Sequence, residues 1–144
     1  FLEREEFASR IAAGELLEHA EVHGNHYGTL KSEVIGCLLQ GTDVVMDIDV
    51  QGATQVRKCD DQIIKTALID LFVMPPSEKE LLARLTGRGT DAEEVITLRM
   101  NNALDEMKHW SEYSYRIISA TREEDYSNFK SLILAERLKV SRLK

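Results

Sequence analysis

Asp47 and Asp49, two residues apart, close the apolar run of VVMDIDVQG at 44–52, and Gly52 follows them. In an extended chain residues i and i+2 face the same side, so both carboxylates can address one ligand, a base amine or a magnesium-bound water. The C-terminal ends of strands are where open α/β sheets hold ligands. Asp is also common as a helix cap at such a point, but D-I-D followed by Q-G favours the ligand-binding reading. A second set of residues is cationic. Arg84 and Arg88 stand four apart at a helix end, and Arg99 lies on the next helix. A guanidinium grips phosphate oxygens in a fork and spreads positive charge over a transferring phosphoryl group. Gly87 and Gly89 flank Arg88 and would let such a loop open and close. Cations at a helix C-terminus are favourable without any ligand, and spacing leaves those two readings level. Glu18 interrupts a half-apolar strand, while Tyr27 and Thr29 sit in a Gly-bounded turn. A carboxylate can accept from both the ring N–H and the exocyclic amine of guanine, which adenine does not offer, and a Tyr hydroxyl can donate to phosphate. Taken singly, each of these three is more often an ordinary surface or turn residue. His19, His23, His26 and His109 show no metal spacing supported by carboxylates, so no metal cage is assigned.

The elements that must position these groups alternate in period. REEFASRIAA (4–13) is an amphipathic helix stopped by Gly14, LLEHAEV (16–22) a strand, HGNHYG (23–28) a turn, and SEVIGCLLQ (32–40) a helix closed by Gly41. DVVMDID (43–49) is apolar almost throughout, the pattern of a parallel strand covered on both faces, and ALIDLFVM (67–74) is a second such strand interrupted by Asp70. VQGATQVRK (50–58) between them is a crossover helix, which argues for an α/β sheet. Ser77 and Glu80 form an S-x-x-E capping box for a helix with Leu81, Leu82 and Leu85 on its face. Residues 91–110 carry Ile96, Met100, Ala103, Met107 and Trp110 as one helical stripe. YRII (115–118) is a short strand and 126–140 a terminal helix.

The 144 residues and 43% hydrophobic content allow one core with a small appended lobe. A net charge of −7 argues against nucleic acid and acidic membrane as partners. No apolar run approaches the roughly 20 residues of a membrane helix, and no secretory signal is visible. Cys37 and Cys59 lack C-x-x-C spacing and read as reduced thiols of a cytosolic protein.

LLEHAEVHGNHYGT, VVMDIDVQGA and MPPSEKELLARLTGRGTDAEEV, in that order, resemble the guanylate kinase family over nearly the whole chain. The resemblance implies transfer of the ATP γ-phosphate to GMP with magnesium, in purine nucleotide metabolism in the cytoplasm. It implies a P-loop-kinase-like parallel sheet flanked by helices, with a small GMP-binding lobe at 1–32, core strands and helices at 33–76, a helical lid at 77–100 and the rest of the core at 101–144. Residue by residue, Glu18 looks like the guanine reader, Tyr27 like a phosphate ligand, Thr29 like the hydroxyl beside the base, and Asp47 and Asp49, followed by Gly52, like the acidic pair. Together these six make the GMP set. Arg84, Arg88 and Arg99 look like the catalytic arginines, with Arg84 and Arg88 on the ATP phosphates. No G-x-x-x-x-G-K-[S/T] loop occurs between Phe1 and Lys144. The family's first core strand and phosphate loop precede the position matching Phe1, so this stretch alone is expected to be inactive and to self-associate through exposed strand edges. Ser119-Ala120-Thr121 stands where the family usually has Asn-Asp. The alternative is a guanylate-kinase-like scaffold that binds partner proteins without catalysis.

Overall fold

A computed structural model describes residues 2–22, 24–87 and 92–142. The chain divides into two compact units, Phe1–Leu68 and Ile69–Lys144. In the first, α1 (Arg4–Ala12) leads into an antiparallel hairpin of β1 (Leu16–Val22) and β2 (Asn25–Leu30), followed by α2 (Lys31–Leu39), α3 (Val50–Arg57) and α4 (Gln62–Ala67). The expected stop after α1 is present: Gly14 takes φ +68°, which costs glycine no Cβ clash. Its carbonyl accepts from Lys31 Nζ at 3.1 Å, and the Lys31 amide donates to Glu15 at 2.9 Å, tying the two ends of the hairpin together. On one side of the hairpin Phe7 of α1 stacks on His26, with ring centroids 5.5 Å apart.

Two sequence expectations change here. Residues 23–28 read as a turn, yet β2 begins at Asn25, and Tyr27 and Thr29 are strand residues. Gly28 belongs to that strand for space: a Cβ there would lie 3.0 Å from the Glu18 carbonyl oxygen and 3.0 Å from Leu16 Cδ1. His23 lies outside the described residues. The run 43–49 read as a strand covered on both faces, but no strand is assigned there. Met46 and Ile48 pack on the core, while Val45 before them is 73% exposed and Asp47 between them is exposed too. The alternation is that of an extended segment covered on one side, and a strand needs a ladder partner, which no described strand supplies. The core of this unit is Leu17, Val34, Val56, Cys59 and Ile64, so β1, α2, α3 and α4 each contribute to it. Cys37 and Cys59 are free thiols.

The second unit holds β3 (Leu71–Met74), α5 (Glu78–Thr86), α6 (Glu93–Met107), a 3-10 turn (Trp110–Glu112), β4 (Tyr115–Ile118), α7 (Arg122–Arg137) and a last 3-10 turn (Val140–Arg142). β3 and β4 pair in parallel, Leu71 beside Tyr115 through Met74 beside Ile118. Asp70 does not interrupt β3 but precedes it. Its carboxylate accepts from the Ser114 amide at 2.9 Å and its carbonyl from the Tyr115 amide at 3.2 Å, which sets where β4 enters. Trp110, expected on the α6 stripe, lies beyond that helix, with the Arg116 guanidinium 4.5 Å from its ring centroid. The capping box expected at Ser77 is half formed. Ser77 Oγ accepts from the Glu80 amide at 3.2 Å, but the Glu80 carboxylate turns to Arg84 Nε at 3.0 Å. A complete box caps α7 instead, with Thr121 and Glu124 bonding reciprocally. Among the described residues no helix is long and apolar enough to cross a membrane.

Candidate functional site

Glu18 is buried, and a bulge explains how a carboxylate comes to lie beside core residues. Leu16 pairs with Leu30 and Glu18 with Thr29, so Leu17 is an extra residue on β1. Leu17 and Glu18 are therefore both buried although adjacent, Leu17 in the apolar core and Glu18 against Thr29 and α3. Thr29 Oγ1 donates to Glu18 Oε1 at 2.6 Å. Tyr27 pairs with Ala20, two residues along the ladder, and so shares the face of Thr29 and Glu18. Tyr27 is 58% exposed, open to a ligand.

The other oxygen, Glu18 Oε2, faces the start of α3. A Cβ on Gly52 would lie 3.3 Å from Oε2, 3.2 Å from Ile48 Cβ and 3.4 Å from Asp49 Oδ1. Gly52 is thus the floor beneath the carboxylate. Its amide donates to Asp49 Oδ1 at 2.7 Å, which makes Asp49 the N-cap of α3. Asp49 therefore does what an ordinary helix cap does, with its second oxygen left for other partners, while Asp47 is exposed. The structure brings Glu18, Thr29, Asp49 and Gly52 together, with Tyr27 beside them on the sheet face.

One residue that holds this arrangement carried no signal in the sequence. The Gln55 side-chain amide makes both hydrogen bonds of a strand neighbour to His19: the His19 amide donates to Gln55 Oε1 at 3.1 Å, and Gln55 Nε2 donates to the His19 carbonyl at 2.9 Å. This edge of β1 is thereby satisfied by a helix side chain. Gln55 follows Gly52 by three residues, and that i, i+3 relation on α3 is the only local clue.

In the second unit, Arg84 of α5 is held at both ends. Nε donates to Glu80, and Nη1 donates to Ser119 Oγ at 3.0 Å. Ser119, buried just after β4, donates its hydroxyl to Asp125 Oδ2 at 2.7 Å, and the Ala120 amide donates to Asp125 Oδ1 at 2.9 Å. These bonds, the Ala120 amide first and the Ser119 hydroxyl next, hold the Asp125 carboxyl below its usual range, with the Arg84 charge adding to them. The sequence marks Ser119 only as a departure from the family's Asn-Asp and does not mark Asp125, because the Arg84 partner is 35 residues from Ser119 along the chain. Arg99 is half-buried in α6, which packs against α5. Arg88 lies outside the described residues.

The guanylate kinase family model matches residues 1–136. A guanylate kinase of Alkalilimnicola ehrlichii is 42% identical over 142 residues, which are 99% of this chain and 68% of that protein. The guanylate kinase of Escherichia coli K12 is 44% identical over 144 residues, 100% of this chain and 67% of that one. Among solved structures, the crystal structure of guanylate kinase from Anaplasma phagocytophilum superposes with a TM-score of 0.75 at 30% identity, covering 99% of this chain and 66% of its own.

Proposed function

The chain belongs to the guanylate kinase family, enzymes that phosphorylate GMP with ATP, and from its own residues we propose how it divides that work. The GMP base is read by Glu18. The observation that carries this is the unequal setting of its two oxygens: Oε1 takes the Thr29 hydroxyl, and Oε2 is held over Gly52. A carboxylate fixed in this way accepts from the ring N–H and exocyclic amine of guanine, and adenine would leave a buried acceptor unpaired. Tyr27, on the same face, donates to the GMP phosphate. Asp47 and the free oxygen of Asp49 complete the GMP side.

Phosphoryl transfer needs positioning and neutralisation of charge more than covalent chemistry from the protein. Arg84, Arg88 and Arg99 supply that neutralisation, with Arg84 and Arg88 on the ATP phosphates. Magnesium is proposed as the companion of ATP, held chiefly by phosphate oxygens and water. The described residues bring no three His, Cys, Asp or Glu together as a cation cage. The division into a GMP lobe at 1–32, core at 33–76 and 101–144, and lid at 77–100 belongs to this reading, as does a cytoplasmic setting.

The test is ADP release by the full-length polypeptide with ATP and magnesium, GMP against AMP. GMP-selective turnover that Glu18→Gln abolishes is the expected outcome. Equal use of AMP would overturn the base assignment, and absence of turnover would favour a non-catalytic binding module.

A further inference from the structure

We propose that Gln55 is a positioning residue that sets base selectivity through Glu18, an inference that rests on Glu18 being the guanine partner. The His19 amide is part of the peptide group that begins at the Glu18 carbonyl carbon, so the bond from that amide to Gln55 Oε1 fixes the plane immediately after the Glu18 Cα. The second bond, from Gln55 Nε2 to the His19 carbonyl, holds the following peptide plane, so the backbone is fixed on both sides of the His19 Cα. Gly52, three residues before Gln55 on α3, lies directly beneath Glu18 Oε2. One helix therefore fixes both the height of the β1 backbone and the space under the carboxylate it carries.

The bulge makes this clamp necessary. With Leu17 an extra residue, the ladder to β2 is irregular between Leu16 and Glu18, where the carboxylate must be placed. On the β2 side, among the described residues, the only side-chain bond to the carboxylate is from Thr29, and it holds one oxygen. Registry of the other oxygen depends on α3. Discrimination between guanine and adenine requires donors and acceptors to meet within a few tenths of an ångström, whereas affinity for the shared ribose phosphate does not depend on Glu18. Loosening the clamp should therefore affect selectivity before it affects turnover.

The experiment compares the full-length protein with Glu18→Gln, Gln55→Met and Gln55→Glu, each shown to melt cooperatively, in kcat and KM for GMP and AMP. Gln55→Met keeps the length and removes both bonds, whereas Gln55→Glu keeps the acceptor for the His19 amide and loses the donor to its carbonyl. The expected result is a GMP-over-AMP preference reduced about tenfold in Gln55→Met, with the loss in KM for GMP and kcat within about twofold, and an intermediate loss in Gln55→Glu. A wild-type preference in both Gln55 variants, with the preference gone in Glu18→Gln, would overturn the inference and leave the reading of Glu18 intact. A wild-type preference in Glu18→Gln would overturn that reading itself. If Gln55→Met does not fold, the isosteric Gln55→Glu decides by the same ratio.

Discussion

Replacing Gly52 with Ala would place a methyl group 3.3 Å from Glu18 Oε2 and 3.2 Å from Ile48 Cβ. Both neighbours would have to shift by a few tenths of an ångström. Within a helix, however, Ala is favoured over Gly by about 0.5–1 kcal/mol through chain entropy. The two effects oppose each other in stability but not in binding, so Gly52→Ala should leave the urea midpoint nearly unchanged while raising KM for GMP roughly tenfold. A variant that lost stability and kept KM would show that the space serves packing alone. Asp49 presents the opposite case, since its side chain has a structural duty as N-cap that a purely functional reading would overlook. Its substitution would confound cap and ligand, whereas Asp47, exposed beside it, separates them.

Helix α7 starts on the most completely formed cap among the described residues. Thr121 Oγ1 accepts from the Glu124 amide at 3.2 Å, and Glu124 Oε2 accepts from the Thr121 amide at 3.2 Å. Thr121→Ala should cost about 1 kcal/mol, read as a lower denaturation midpoint, and Thr121→Ser should restore most of it. A Thr121→Ala protein with an unchanged midpoint would mean that water replaces the cap. T-x-x-E was present in the sequence at 121–124 as plainly as S-x-x-E at 77–80, yet only the former closes into a full box, because Glu80 has Arg84 four residues on to pair with. The same contrast separates what was legible from what was not. β1 and β4 matched residue for residue, and the expected helices matched to within about four residues, because local period and glycine stops determine them, whereas the short α4 (Gln62–Ala67) had no expected counterpart. β2 was masked by Asn25 and Gly28, whose usual meaning is a turn. The bulge, the Gln55 clamp and the Ser119–Asp125 hold on Arg84 depend on partners that sequence spacing cannot pair. Of the candidate site, Glu18, Thr29, Asp49 and Gly52 could be named from the sequence, and the contacts that bring them together and give Glu18 two unequal oxygens could not.

Asp125 links three segments of the second unit, since its carboxylate takes the Ala120 amide and the Ser119 hydroxyl while Ser119 accepts from Arg84. Its carboxyl is held below the ordinary aspartate value of 3.8 by those bonds, the Ala120 amide foremost. The unfolded chain therefore binds this proton more readily than the folded one, and stability rises with pH across that interval. The contribution is complete above about 3.8 and is lost as pH falls through the lower folded value. Asp125→Asn should be less stable than wild type at pH 7, with the gap closing as the pH drops from the ordinary value of 3.8 through the lower folded value, measured as urea midpoints along a pH series. A gap of constant size would assign the loss to packing. Glu136 adds acid sensitivity of the same sign, because the Tyr115 hydroxyl and Arg142 hold its carboxyl down too, so the variant should remain partly acid-labile. The bulge at Leu17 has a consequence for length variation. Because side chains alternate across a strand, adding or deleting one residue between Leu16 and Gln55's partner His19 would rotate the carboxylate to the opposite face, towards the core. The hairpin can be lengthened at its far end, around Gly24, without that penalty, so insertions should be tolerated there and lethal to activity at the bulge.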